Sequence, residues 1–74
     1  MSIDVELFGL LYQNKQRRQA LNLIRPTLIR DVINMLGLKE EEIGLITVDG
    51  VQSEPEDLVH PGNRLCFFPP MSGG

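Results

Sequence analysis

The sequence predicts an α+β domain in which one helix packs on one face of a mixed sheet of four to five strands. Three observations predict it. Apolar residues alternate at period two in two runs near the start of the chain, as in strands with one buried face, and a short apolar run bounded by a turn and two prolines lies near its end. A single apolar stripe at helical spacing lies between them. An Asp-Gly pair between two short apolar runs marks a hairpin. The 74 residues leave room for one domain, and a chain of this size buries about 60% of its unfolded surface. That suffices for one compact core and falls short of a deep catalytic pocket.

The elements follow in order. "SIDVELFGLLY" places Ile3, Val5 and Leu7 at period two, with Asp4, Glu6 and Phe8 between them, and reads as a strand. "QNKQRRQ" is a polar turn. "QALNLIR" resumes the alternation through Leu21 and Leu23 and reads as the hairpin partner of the first strand. Pro26 stops it, and Thr27 is a candidate helix N-cap. In "LIRDVINMLGL", Leu28, Ile29, Val32, Ile33 and Leu36 form the apolar stripe, and Gly37 suits a left-handed C-terminus. "KEEE" is a solvated connection. "IGLITVDGVQ" reads as strand, turn, strand. "SEPEDLV" is a loop or a single helical turn. "HPGN" carries Pro and Gly at the two central positions of a type II turn. "RLCFF" is the last strand, ended by Pro69 and Pro70.

A hairpin, a crossing helix and a return to the sheet give the β-grasp order, the ubiquitin-like arrangement. The crossover rule lays the last strand parallel to the first. The domain then spans residues 1–70, and residues 71–74 form a flexible tail ending in Gly-Gly.

Composition narrows the function. A net charge of −3 argues against nucleic acid as a partner and fits a partner with a basic docking surface. One cysteine, Cys66, allows no internal disulfide and no multi-thiolate metal site. One histidine, His60, leaves the chain short of zinc ligands. "MSIDVELFGL" carries charge early and holds no apolar run long enough for a signal peptide or membrane span. The expected location is the cytoplasm, with no membrane partner. No phosphate-binding glycine loop, triad spacing or metal cluster is present, so no bound cofactor or metal is expected.

The ending "FFPPMSGG", preceded by "VDGVQ" and the turn "HPGNRL", resembles the sulfur-carrier family that includes the molybdopterin synthase small subunit and the thiamine-biosynthesis sulfur carrier. The specific part of the resemblance is residues 48–74. The phenylalanine-proline pattern looks like the molybdopterin branch, whereas the short region between the helix and the next hairpin is closer in length to the thiamine carriers. The resemblance implies a covalent cycle. A ubiquitin-activating-type adenylyltransferase uses ATP to adenylate the carboxylate of Gly74. A sulfur donor enzyme then converts the acyl-adenylate to a thiocarboxylate, whose sulfur serves cofactor biosynthesis. Such a chain is not catalytic alone. It is a carrier, and in the molybdopterin branch the small subunit of a synthase whose large subunit is a further partner. The alternatives are thiamine thiazole synthesis, with thiazole synthase as partner, a ubiquitin-like modifier joined to lysines through Gly74, and a non-covalent β-grasp binding module with an inert tail.

The residue chemistry fits that cycle. Met71, Ser72, Gly73 and Gly74 make a slim tail able to enter another protein's active site, since glycine has no Cβ to clash there. Pro69 and Pro70 restrict the backbone ahead of it and aim it. Strand parity adds a docking surface. If Ile3, Val5 and Leu7 face the helix, so do Leu65 and Phe67, while Arg64, Cys66 and Phe68 face outward. Phe8 and Phe68 then sit on neighbouring strands where no helix covers them, and with Pro69 and Pro70 they form the expected partner-binding group. The plainer reading of the two rings is ordinary packing. Cys66 reads as a small hydrophobe and His60 as an exposed turn residue. "NKQRR" reads as an anion site or, more plainly, as a charged hairpin tip that resists edge pairing. Glu40, Glu41 and Glu42 read as a solvated run.

Overall fold

The computed structural model of the chain describes residues 1–71. Strand β1 spans Ser2–Leu7, β2 Arg18–Asn22, β3 Thr27–Leu28, β4 Leu45–Val48, β5 Val51–Ser53, β6 Leu58–Val59 and β7 Arg64–Phe68, with one α-helix, α1, at Ile29–Met35. Five strands form the main sheet in the order β2-β1-β7-β4-β5, and β3 pairs with β6 in a separate two-stranded ribbon. Strands β1 and β2 are an antiparallel hairpin, and β7 lies between β1 and β4, parallel to the first and antiparallel to the second. This is the expected ubiquitin-like β-grasp.

The parity argument holds. Ile3, Val5, Leu7, Leu65 and Phe67 are buried together with Ile29, Val32 and Ile33 of α1. The helix therefore covers one face of the sheet and leaves the other open. Gly37 takes a positive φ of 72° at the end of α1, and the Leu38 N–H donates to the Ile33 carbonyl at 3.1 Å, closing the helix. The β4–β5 hairpin turns at Asp49 and Gly50, both at positive φ, and Gly62 has φ 96° in the Pro-Gly turn before β7.

Four local readings are corrected. β1 ends at Leu7 because Gly9 takes a positive φ of 59°, and Gly9–Tyr12 form a turn of 3-10 helix that buries Leu11. Thr27 does not cap α1; it lies in β3, and its hydroxyl donates to the Arg25 carbonyl. The helix N-terminus is satisfied from across the fold instead. The N–H groups of Ile29 and Arg30 donate to the carbonyls of Asp57 and Pro55, each at 2.9 Å. Leu28 is exposed, and Leu38, beyond the glycine, takes the expected place of a core residue. Glu40–Glu42 form an exposed 3-10 turn, and "SEPEDLV" ends in β6.

Candidate functional site: the tail exit and the open sheet face

The end of β7 is fixed by both neighbouring elements. The Phe8 N–H donates to the Phe67 carbonyl at 3.0 Å, and the Gly44 N–H donates to the Phe68 carbonyl at 2.8 Å. Phe8 and Phe68 leave adjacent strands on the open face, as parity requires. Their rings stack at 4.5 Å with planes 8° apart. Both are half-buried, so the pair packs on itself and still offers an apolar edge to solvent. Offset-stacked pairs of this kind add about 0.5–1.5 kcal/mol beyond area burial.

Pro69 and Pro70 follow directly and are held between two glycines. A Cβ on Gly9 would lie 2.7 Å from Pro69 Cγ, and Gly9 is left-handed as well. A Cβ on Gly44 would lie 2.5 Å from Pro70 Cα and 2.8 Å from both the Pro69 carbonyl oxygen and the Pro70 nitrogen. Those atoms are backbone, so a side chain at position 44 forces the Pro-Pro segment to move. The two glycines therefore fix where the chain leaves the body. Met71, the last residue described, is 93% exposed. Ser72, Gly73 and Gly74 lie outside the described residues. A groove lined by Leu10, Leu11, Leu38 and the two prolines, together with the polar Gln13, Asn14, Lys15 and Glu42, borders this exit.

Below the aromatic pair, Glu6 projects from β1 onto the open face with only 8% of its side chain exposed. Three guanidiniums surround it. Arg64 on β7 hydrogen-bonds its carboxylate, and Arg17 and Arg18 approach to 3.6 and 3.7 Å. The hydrogen bond to Glu6, followed by charge interactions with Cys66 and Glu6, raises the Arg64 pKa above its ordinary value. Arg17 also lies over the rings of Phe8 and Tyr12, 5.8 and 5.9 Å from their centroids.

The structure thus brings Phe8, Phe68, Pro69 and Pro70 into one contiguous surface at the base of the tail. It also adds Gly9, Gly44, Glu6 and Arg64, none of which the sequence singled out as site residues, and Arg17 and Arg18, which the sequence offered only within the charged hairpin tip. A cross-strand signal existed for one of these contacts, because the β1–β2 hairpin sets Glu6 opposite Arg18. Cys66 faces the open side and is buried. His60 is exposed in its turn, where its N–H donates to Asn63 Oδ1 at 2.7 Å. Among the described residues, no three His, Cys, Asp or Glu side chains are grouped to hold a metal ion. No helix among them is long and apolar enough to cross a membrane.

Solved structures share this architecture. A putative molybdopterin converting factor subunit 1 from Pyrococcus furiosus is 20% identical with a TM-score of 0.74, over 96% of this chain and 99% of that one. The small archaeal modifier protein 1 of H. volcanii is 15% identical with a TM-score of 0.73, over 95% and 98%. In a complex of subunits 1 and 2 of the molybdopterin-converting factor from Helicobacter pylori, a chain 16% identical matches with a TM-score of 0.65, over 100% of both. At these identities the likeness is one of fold. No curated protein matches the sequence significantly. The family model described as Mut7-C ubiquitin matches residues 3–73, nearly the whole chain. On that match, and with the grasp architecture to go with it, the chain belongs to the Mut7-C ubiquitin family.

Proposed function

We propose that this chain is a sulfur carrier whose reactive group is the carboxylate of Gly74, and that it serves molybdopterin synthesis. The observation that carries the reading is the fixed exit of the tail. Pro69 and Pro70, seated between Gly9 and Gly44, fix the point at which the exposed Met71 leaves the body, beside the Phe8–Phe68 pair that a partner can grip. A carboxylate is a poor electrophile. Its oxygen attacks the α-phosphate of ATP in the activating partner's site and pyrophosphate leaves. Sulfide then attacks the acyl carbon of the adenylate and AMP leaves, giving a thiocarboxylate and releasing one proton. Every catalytic group in this sequence belongs to the partner. The chain supplies an electrophile on a slim arm and a surface that sets its reach, which lowers the entropy lost on insertion.

Support for the pathway comes from the phenylalanine-proline ending and from the fold shared with molybdopterin converting factor subunit 1. The complex of subunits 1 and 2 of that factor supports a large synthase subunit as the acceptor partner. A second reading is a protein modifier, favoured by the equally close fold of the small archaeal modifier protein 1.

The test is to incubate the full chain with an adenylating enzyme of the ubiquitin-activating type, ATP and sulfide, and to measure its intact mass. A carrier gains the difference between sulfur and oxygen. A modifier appears instead in conjugates with other proteins. A mass unchanged in every fraction overturns both readings. Deleting Gly74 is expected to abolish the mass change and to leave the fold intact, because a chain terminus carries few tertiary contacts.

A further inference from the structure

Charge is distributed unevenly over this molecule. The helix and the turns that flank it carry Asp31, Glu40, Glu41, Glu42, Glu54 and Glu56, with Arg30 bridging Glu40 and Glu56 at 2.7 and 3.4 Å. The open sheet face is the reverse. Arg17, Arg18 and Arg64 gather there over two carboxylates, Asp4 and the buried Glu6. The face is cationic although the chain as a whole has a net charge of −3.

The gathering is built into the fold. Three guanidiniums this close repel one another unless a carboxylate lies among them, and Glu6 is held there by the β1 register. Its side chain is 8% exposed, whereas those of Arg17, Arg18 and Arg64 are 58, 65 and 52% exposed. Glu6 is therefore out of a partner's reach and the arginines are within it. Each guanidinium has five N–H donors, more than Glu6 can engage. Arg17 lies over the Phe8 ring, 5.8 Å from its centroid, so the cluster around Glu6 adjoins the Phe8–Phe68 pair through that one arginine. An aromatic centre with a pre-positioned arginine rim is the composition of a protein–protein hot spot.

We infer that the partner docking on this face is a protein presenting a cluster of carboxylates opposite Arg17, Arg18 and Arg64. This inverts the expectation from net charge, which points to a basic partner. A protein fits better than a nucleic acid for two reasons. Phe8 and Phe68 are stacked on each other, so neither presents both ring faces to bases. The acidic helix side also opposes any partner long enough to wrap the domain. The identity of the partner as the adenylating enzyme rests on the carrier reading; its surface chemistry does not.

The experiment measures binding of the full chain to the adenylating enzyme by fluorescence anisotropy across a salt series, beside ATP–pyrophosphate exchange. Binding of the wild type is expected to weaken as salt rises. The double variant Arg17→Glu with Arg18→Glu is expected to raise Kd about tenfold or more, mostly by slowing association, with kcat of exchange at saturation unchanged. Arg17→Gln with Arg18→Gln, which places no new carboxylate beside Glu6, is expected to move Kd in the same direction by less. Asp31→Lys with Glu41→Lys, on the helix side, is expected to leave Kd within about threefold. Salt-independent binding, or arginine variants that bind like the wild type, overturns the inference. So does a single-stranded oligonucleotide that binds the wild type and not the arginine variants. Binding without exchange overturns the carrier reading alone, and an absence of all binding overturns both.

Discussion

Gly44 and Pro70 are in backbone contact: a Cβ at position 44 would meet Pro70 Cα at 2.5 Å. No rotamer change relieves that clash, because the opposing atoms are main chain. Gly44→Ala is therefore expected to displace the Pro69–Pro70 segment or to strain the Gly44–Phe68 hydrogen bond. Overpacking of this kind costs about 1–3 kcal/mol. For a domain of this size that lowers the melting midpoint by about 4–8 °C per kcal/mol. A thermal melt gives the first number. Proton–nitrogen spectra should place the largest shifts at Phe68 and Met71. In the proposed cycle, adenylation should lose kcat more than it loses affinity, because Phe8 and the arginines of the open face stay in place while the exit at Pro69–Pro70 shifts.

The Phe8–Phe68 stack couples the first and last strands of the chain, which are neighbours in the main sheet. Its parallel rings make the two positions interdependent, so Phe8→Ala and Phe68→Ala should not add. A double-mutant cycle by urea denaturation is expected to return a coupling of about 0.5–1.5 kcal/mol. If the chain is the proposed carrier, both single variants should also weaken binding to the adenylating enzyme. Unchanged affinity in Phe68→Ala would remove the aromatic pair from the docking surface.

Glu6 is the one charged side chain buried in the described fold, and three arginines depend on it. Glu6→Gln keeps the shape and removes the charge that lets the guanidiniums gather. We expect a lower unfolding midpoint in dilute buffer and partial recovery in added salt, which screens the arginines from one another. The wild type should show less of that recovery. Midpoints for both proteins across a salt series make the comparison.

The parts of this molecule legible in sequence are those set by short-range rules. Alternation at Ile3, Val5 and Leu7 fixed the buried face of β1, and the same parity placed Phe8 beside Phe68. Gly37, Asp49-Gly50 and Pro61-Gly62 marked their turns because the required backbone angles leave few other residue choices. What escaped was set by contacts between distant residues. Thr27 looked like a cap, yet the donors of α1 are met by Pro55 and Asp57 carbonyls. The two-residue strands β3 and β6 are too short to show a period. Gly9 and Gly44 are ordinary glycines until Pro69 and Pro70 are laid against them. The arginine cluster was half visible, in a charged hairpin tip, and needed Arg64 from the far end of the chain to complete it.

Asp49 offers a test of how the turn before β7 is held, and so of how firmly the tail-bearing strand is seated. Its backbone sits at φ 50° in the hairpin turn. Its Oδ1 accepts from the Arg64 N–H at 2.8 Å, and its Oδ2 accepts from Asn63 Nδ2 at 2.7 Å. Its own N–H donates to the Arg64 carbonyl at 2.8 Å. One aspartate thus ties the β4–β5 turn to the first residue of β7. Asp49→Ala loses both side-chain acceptors and puts an alanine in a left-handed conformation, so a loss of about 1–3 kcal/mol is expected. Asp49→Asn tolerates the same backbone angle and retains one carbonyl acceptor, so it should lose less than half as much. Urea denaturation of the two variants separates the carboxylate charge from what asparagine keeps, the backbone angle and the acceptor facing the Arg64 N–H. Equal losses would mean that charge alone secures the turn. The expected ranking instead places the angle and that acceptor together as the main tie. Amide exchange at Arg64 should then quicken strongly in Asp49→Ala and only slightly in Asp49→Asn.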